Sequence, residues 1–523
     1  MSTQENSATE TSLPVHWIVE LEALADTARL ADTISMMVRP GDLLTLGGGL
    51  GVGKTTFARA LIRVLTGEPD LDVPSPTFTL IQTYEAPGFP IVHADLYRIT
   101  SPLELDTLGW NEISTDTVLL VEWAERAGQA LSDDRLDITL ALAPADEGAR
   151  TATITGYGSF AKRVAQARAI HQVLRRSGFG AAYRQHLQGD ASSRAYERLT
   201  LPEGRGGAIL MIAPRRPDGP PVRGGRPYSQ IAKLAEDVRP FIAISRGLEA
   251  RGFSAPVLYG TDIANGLIVL EDLGPEGVAE NGVPIAERYL ESVAALARLH
   301  GMALPAMLPI AEDRDYTIPP YDLEAMLMEA ELLIDWYLPH TGNTTLSMSA
   351  RIAFTDIWTG LLVPLLAGPL TWTLRDYHSP NLIWLPEREG IQRVGIIDFQ
   401  DCVLGPPAYD VASLAQDARL DVPDDLELKL LGHYVRLRRD ADAAFDTAGF
   451  ARAYAIMGAQ RATKILGIFA RLNKRDGKPQ YLRHLPRIER NVRRCLAHPA
   501  LEPLLLWYKA HVPALFAGEQ EHG

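Results

Sequence analysis

Residues 48–55 read Gly-Gly-Leu-Gly-Val-Gly-Lys-Thr, a glycine-rich turn closed by a lysine and a hydroxyl. Such a turn points successive backbone N–H groups into one concavity, where they bind phosphate oxygens. Gly48, Gly49, Gly51 and Gly53 allow the close approach. Lys54 is placed to reach the β- and γ-phosphates, Thr55 to ligate Mg²⁺, and Thr56 completes the nucleotide-binding set. More than three hundred residues later the chain reads Arg375-Asp376-Tyr377-His378-Ser379-Pro380-Asn381, then Ile396-Ile397-Asp398-Phe399-Gln400-Asp401. This is the layout of a kinase catalytic loop followed by a metal-binding aspartate. Asp376 takes the catalytic position, and Asn381 and Asp398 are spaced to hold Mg²⁺. One domain does not need two phosphate-handling machines, so the reading is a fusion of two ATP-using domains.

The elements around these residues suit the chemistry. Residues 42–46 form a short apolar strand that runs into the glycine loop, and 56–65 carry helical periodicity. Apolar residues at helical spacing (Leu24, Ala28, Ala31, Ile34) predict a helix over 21–37. Strands are expected at 78–84, 91–94, 118–122 and 136–142, with 151–157 as a last edge strand, giving an α/β sheet. Residues 1–16 read as a disordered leader and 17–158 as the P-loop domain. A helix over 160–177 is expected to open the second domain, with the boundary near 159. Residues 160–515 read as a bilobal kinase-like domain, its strand-rich N-lobe over about 165–275 and its helical C-lobe over about 276–515. Residues 214–227 are a Pro/Gly/Arg-rich loop.

At 523 residues the chain exceeds one core. Its 46% hydrophobic and 22% charged content places it among ordinary soluble proteins, and no uninterrupted apolar run nears the ~18 residues of a membrane span. The polar start lacks a signal core, and the two cysteines, Cys402 and Cys495, form no disulfide framework, so a cytoplasmic protein is expected. Residues 1–150 hold 9 Lys/Arg against 23 Asp/Glu and so carry the whole net charge of −14. An acidic P-loop domain is poorly suited to direct, strong nucleic-acid binding.

Further motifs narrow the first domain. Val73-Pro-Ser-Pro-Thr-Phe-Thr-Leu80, His93-Ala-Asp-Leu-Tyr-Arg98 and Val121-Glu-Trp-Ala-Glu-Arg126 follow the glycine loop in order. Over about residues 17–157 this set resembles the TsaE family, the ATPase subunit of bacterial threonylcarbamoyladenosine synthesis in tRNA. The resemblance implies a nucleotide-sensing switch at Ser75 and Thr77, and places Asp95 and Glu122 at the metal and the hydrolytic water. It also implies ATP and Mg²⁺ as cofactors and a tRNA threonylcarbamoyl transferase subunit complex (TsaD/TsaB-like) as partner. A nucleoside kinase is disfavoured by the Pro-Ser-Pro-Thr loop and by Glu122-Trp123. Trp123 is open between partner contact and packing.

In the second domain, residues 396–414 depart from protein kinases (Asp-Phe-Gln-Asp, no Ala-Pro-Glu) and resemble the aminoglycoside/choline phosphotransferase family. Gly189-Asp-Ala-Ser-Ser-Arg-Ala-Tyr196 takes the place of the nucleotide-covering loop, and Val269-Leu-Glu-Asp-Leu-Gly274, with Glu271, that of the adenine hinge. Over roughly 165–510 the set resembles the anomeric sugar kinases that phosphorylate N-acetylmuramate and N-acetylglucosamine, implying an amino-sugar substrate. The expected phosphate-clamping lysine is replaced by Met211, so Arg194 is the candidate for the missing charge. Leu374 stands where the first His of the loop is usual. Asp410 is expected to accept structural hydrogen bonds, His378 to stabilise its loop, and Trp336, Tyr337, Trp358 and Trp372 to pack in the core. An aminoglycoside- or choline-type kinase, or a non-catalytic module regulating the ATPase, stays open.

Overall fold

The computed structural model describes residues 13–519, apart from 102–103, 108–109, 111–112, 114, 145, 188–193, 216 and 343–345. Residues 1–12 of the expected leader, and 189–193 of the nucleotide-covering loop, lie outside the described residues. The chain divides into two compact units, Met1–Arg184 with Leu199–Gly206, and Gln185–Arg198 with Gly207–Gly523.

The first unit is built on a seven-stranded sheet of order β1-β7-β6-β2-β5-β4-β3. Its elements are β1 (Val15–Leu21), α1 (Leu24–Ser35), β2 (Leu43–Gly47), α2 (Lys54–Thr66), β3 (Ile81–Ala86), β4 (Phe89–Asp95), α3 (Glu104–Thr107), β5 (Val118–Glu122), β6 (Leu136–Ala143), β7 (Asp146–Gly156) and α4 (Ser159–Arg176). Strands β4, β5, β2 and β6 are mutually parallel. Such strands are covered on both faces. Phe57, Leu61 and Ile62 of α2, with Leu30 and Ile34 of α1, fill one face, while Leu96, Ile99 and Leu105 join Val121 on the other.

Three expectations need correction. The leader ends earlier than residue 16, because Val15 already pairs with Gly156. Strand β1 alternates buried Trp17, Val19 and Leu21 with more exposed neighbours, and it takes the sheet edge, so β7 is interior. Finally, α4 does not open the second unit. Its Phe160, Val164 and Ala167 join the first unit's core, and His171 sits 5.3 Å from the Trp17 ring. The first unit therefore runs on past residue 159 to Arg184 and takes in Leu199–Gly206 as well.

The second unit carries a five-stranded sheet. It comprises β8 (Tyr183–Leu187), β9 (Ala195–Thr200), β10 (Gly207–Ile212) and, later, the strands Leu258–Asp262 and Leu267–Leu270. Helices dominate the rest, among them Ala286–His300, Leu323–Leu332, Met348–Leu366, Ala408–Ala415 and the 30-residue Thr447–Asp476. A single hydrophobic core joins the sheet to these helices. Trp358 and Trp372 are fully buried and Tyr337 nearly so. Met348–Leu366 is the one helix among the described residues long and apolar enough to cross a membrane.

Candidate active sites

In the first unit the loop between β2 and α2 holds the glycine turn. Gly48 has φ +121°, and a Cβ there would lie 2.2 Å from the Leu140 carbonyl oxygen, so only glycine fits. At Gly53 (φ +109°) a Cβ would meet nothing within 4 Å, so the concavity stays open. Lys54 donates to the carbonyls of Gly48 and Gly49 at 2.9 and 2.8 Å, with its ammonium 3.9 Å from the Trp123 ring centroid.

Parallel pairing places Asp95 beside Glu122, and Leu46 beside Glu122, at the carboxyl ends of β4, β5 and β2. That is where open parallel sheets bind ligands. The Thr55 hydroxyl donates to Glu122 Oε1 at 3.0 Å. The Thr77 hydroxyl donates to Asp95 Oδ2 at 2.7 Å, and Ser75 reaches the same oxygen at 3.3 Å. The structure thus brings Thr55 to Glu122, and Ser75 and Thr77 to Asp95. Hydroxyl and carboxylate oxygens beside a phosphate cradle are the hard donor set that Mg²⁺ takes, so these residues fit a Mg²⁺–nucleotide. Thr56 lies in the first turn of α2. His93 is the residue that motif spacing left unassigned. It is sealed in the core, with Nε2 3.1 Å from Glu122 Oε1, and its Nδ1 is unpaired. The His two residues before Asp95 was the available signal.

In the second unit a cleft of about 650 Å³ is lined by Ile209, Glu271, Asp376, His378, Asn381, Asp398 and others. Asn381 Nδ2 donates to the Asp376 carbonyl at 2.9 Å and approaches Asp398 Oδ2 at 3.4 Å. Gln400 and Arg194 both reach Asp398 Oδ1, at 2.8 and 3.1 Å. Arg375 and Asp398 adopt positive φ, +68° and +59°, strained conformations that a surrounding framework must hold. Asp410 supplies part of that framework: it accepts the amides of Leu374 and Arg375 at 2.6 and 2.8 Å. Asp417 accepts the Ser379 amide at 2.9 Å. The Arg375 side chain is buried against Glu329, which also binds Lys464 at 2.9 Å and the Tyr321 hydroxyl.

The two central carboxyls differ. Burial acts on Asp376, but the charges of His378, Lys464, Arg375 and Arg461 outweigh it and hold the carboxyl below its ordinary value. Burial, then the neighbouring Asp376, pushes Asp398 up to about 6. A cation between Asn381 and Asp398 would relieve that cost, and their oxygens suit Mg²⁺. Met211 is buried in the core and shares its strand face with Ile209 of the cleft wall. Lys233 is instead bound to Asp322 at 2.8 Å. Glu271 lines the cleft, but its amide donates to Val257 and its carboxylate binds Arg388 at 2.6 Å. Glu329 and Lys464 were missed from sequence, since their partners are set by tertiary packing, whereas Gln400 bonds Asp398 two residues away and its place in the motif was the available signal. Both thiols are buried, and burial pushes that of Cys495 up to about 12.

One chain therefore carries a P-loop ATPase and an ATP-dependent phosphotransferase. Residues 21–151 match the family described as "Threonylcarbamoyl adenosine biosynthesis protein TsaE", and residues 184–456 match "Phosphotransferase enzyme family". The N-acetylmuramate/N-acetylglucosamine kinase of Caulobacter vibrioides is 37% identical over 352 residues, 65% of this chain and 95% of that protein. The tRNA threonylcarbamoyladenosine biosynthesis protein TsaE of Rickettsia conorii is 38% identical over 120 residues, 23% of this chain and 68% of that protein. That of Rickettsia bellii is 37% identical over 135 residues, 26% of this chain and 92% of that protein. The chain belongs to the TsaE family through its first unit and to the phosphotransferase enzyme family through its second.

Proposed function

We propose that the chain is bifunctional: an ATPase serving threonylcarbamoyladenosine formation in tRNA, and a kinase that phosphorylates an amino sugar at its anomeric hydroxyl. The observation that carries the kinase reading is the cleft in which Asp376, Asn381 and Asp398 converge, in a chain akin to an N-acetylmuramate/N-acetylglucosamine kinase. Asp376 orients the acceptor hydroxyl and accepts its proton. The sugar oxygen forms a bond to the γ-phosphorus as the bond to the ADP oxygen breaks. Asn381 and Asp398 would hold Mg²⁺, which when bound supplies charge neutralisation across the phosphates. Several standing cations act on Asp376, namely Lys464, Arg375 and Arg461. That favours a neutral or anionic acceptor over choline or an aminoglycoside.

In the first unit, Gly48–Gly53, Lys54, Thr55 and Thr56 would bind ATP, Thr55 with Glu122 would hold Mg²⁺, Asp95 and Glu122 would serve the metal and the hydrolytic water, and Ser75 and Thr77 would form the nucleotide-sensing switch. Its acidic charge suits action through a transferase subunit complex rather than on tRNA directly. The site is read as cytoplasmic, where ATP and both substrates occur.

The test is phosphate transfer by the full-length chain with ATP and Mg²⁺, on N-acetylmuramate, N-acetylglucosamine, choline and kanamycin. The expected product is a sugar 1-phosphate. Transfer only to choline or kanamycin would replace this reading, and no transfer to any acceptor would leave the second unit a non-catalytic module. For the first unit, ATP hydrolysis should rise when purified TsaD/TsaB-type subunits are added. An unchanged rate would remove the partner.

A further inference from the structure

Among the described residues, two arginines line the kinase cleft, Arg198 and Arg419. Arg198 belongs with the nucleotide half: its Nε donates to Asp272 at 2.9 Å, in the segment read as the adenine hinge. Arg419 comes from elsewhere. It is half-buried and lies in the turn between the helices Ala408–Ala415 and Asp424–Ala441. None of the residues assigned above to phosphate transfer or to the metal comes from that turn. A second positive charge therefore enters the cleft wall from an element that the ATP chemistry does not use.

The backbone of that turn is gripped from both directions. The buried carboxylate of Asp417 accepts the Arg419 amide at 2.7 Å through one oxygen and the Ser379 amide at 2.9 Å through the other. Ser379 directly follows His378 in the catalytic loop, and His378 and Asp376 line the cleft together with Arg419. One carboxylate thus sets Arg419 in register with the loop that carries the catalytic aspartate. From the other direction Arg487 holds Asp421 through two hydrogen bonds, at 3.0 and 2.7 Å, and reaches the Ala418 carbonyl at 3.3 Å. The chain on either side of Arg419 is therefore fixed, and a recognition group mounted on a fixed backbone costs less ordering when a ligand arrives. The charge of Arg419 is also felt at His378, where burial is the larger influence.

We propose that Arg419 recognises an anionic group on the acceptor, so that the cleft prefers a carboxylate-bearing amino sugar to its neutral counterpart. This rests on the amino-sugar reading above and deepens it. N-acetylmuramate and N-acetylglucosamine share one ring, and the first adds a lactyl ether whose carboxylate the second lacks. With the anomeric hydroxyl at Asp376, that carboxylate projects from another carbon of the ring toward the cleft wall. It has to be kept from the carboxyls of Asp376 and Asp398, which would repel it, and a cation in the wall beside the catalytic loop does this. A guanidinium binds a carboxylate through two parallel hydrogen bonds, and gains more where water is scarce. Arg419 is thus a specificity-determining residue, and Asp376 keeps its role for both sugars.

The experiment compares kcat/KM for the two sugars, and KM for ATP, in the full-length wild type and in Arg419→Met and Arg419→Lys. In wild type the muramate should be favoured. In Arg419→Met the muramate-to-glucosamine ratio should fall by about tenfold, chiefly through KM for the muramate, as expected for a lost charged hydrogen bond. Arg419→Lys should restore part of it. A wild type without preference for the muramate, a parallel fall on both sugars, or a raised KM for ATP with an unchanged ratio would each overturn the proposal while leaving the kinase reading intact. Wild type that phosphorylates neither sugar would overturn the kinase reading itself and this inference with it. Should the variants fail to fold, wild type is assayed on N-acetylmuramate and its methyl ester. Loss of the preference on esterification supports an anion contact, and equal turnover refutes it.

Discussion

The two phosphate sites hold their cations in opposite ways. Among the described residues, Lys54 of the P-loop rests on neutral partners alone, two carbonyls of its own loop and the Trp123 ring. Arg375 of the kinase loop is buried against the carboxylate of Glu329, beside Lys464 and Tyr321. Neutral hydrogen bonds are exchanged for phosphate oxygens at modest cost, because a charged partner is roughly twice as strong. A buried ion pair cannot be opened that way, since separation leaves an uncompensated charge. On the function proposed above the lysine would change partners, whereas the arginine is a post on which the loop is mounted. In the kinase cleft the two carboxyls also differ, with Asp376 held low and Asp398 raised to about 6.

The sharpest way to break the comparison is a double dissociation. Asp376→Ala should lower sugar phosphorylation by roughly 10²–10⁴-fold or more and leave the slow ATP hydrolysis of the first unit. Lys54→Ala should abolish that hydrolysis and spare the sugar kinase. Both activities are read on the same preparations, from ADP release without acceptor and sugar phosphate with it. If either substitution removed both activities, the two sites would not be separate machines.

Next in size is the post itself. Glu329→Gln removes the carboxylate shared by Arg375 and Lys464 and should cost about 3–5 kcal/mol, the range for breaking a buried pair from one side. Calorimetry should show a lowered transition with loss of kinase activity, while hydrolysis dependent on Lys54 persists. A melting profile identical to wild type would demote Arg375–Glu329 from framework to incidental contact.

What was legible in the sequence follows from how local each feature is. The P-loop is eight contiguous residues, and Asp376 to Asn381 span six, so motif spacing alone brings their chemistry together. The strand expected over 78–84 begins only at Ile81, because Leu80 sits at φ +64° and its amide donates to the Pro76 carbonyl, so the chain turns there. Helix α4 was legible as a helix but not as part of the first unit, because periodicity gives a face and not the sheet it covers. Glu329 was invisible for the same reason: its partners Arg375 and Lys464 lie far along the chain. Arg194 was placed near the phosphates from its loop, and the structure sets it on Asp398.

A pH experiment sharpens the view of the mounting. Burial is the main influence on Asp410 and pushes its carboxyl from 3.8 up to about 7, against the two amides that favour its charge. A raised carboxyl contributes stability that is full below its ordinary value and is lost as pH rises through the folded one. The second unit should therefore lose up to about 4 kcal/mol from this group between about pH 4 and about pH 7. Asp410→Asn cannot titrate, so the melting difference between variant and wild type should change with that slope. A difference that is flat across the range would mean that Asp410 stays charged throughout, held by the amides of Leu374 and Arg375.

The smallest expected effect concerns Arg194, a cation seen directly on the metal-binding candidate Asp398. Its guanidinium donates to Asp398 at 3.1 Å, and both side chains keep some exposure, 16% and 39%. Exposure caps such a pair at about 1 kcal/mol or less. If Arg194 replaces the clamp lysine displaced by Met211, then Arg194→Ala should raise KM for ATP by roughly threefold to tenfold and change kcat less. If instead it competes with Mg²⁺ for Asp398, the same substitution should lower the Mg²⁺ concentration needed for half-maximal rate. Titrating ATP at saturating Mg²⁺, then Mg²⁺ at fixed ATP, separates the two. The first outcome makes Arg194 a cation that changes partners as Lys54 does, and the second makes it a counter-charge that the metal must displace.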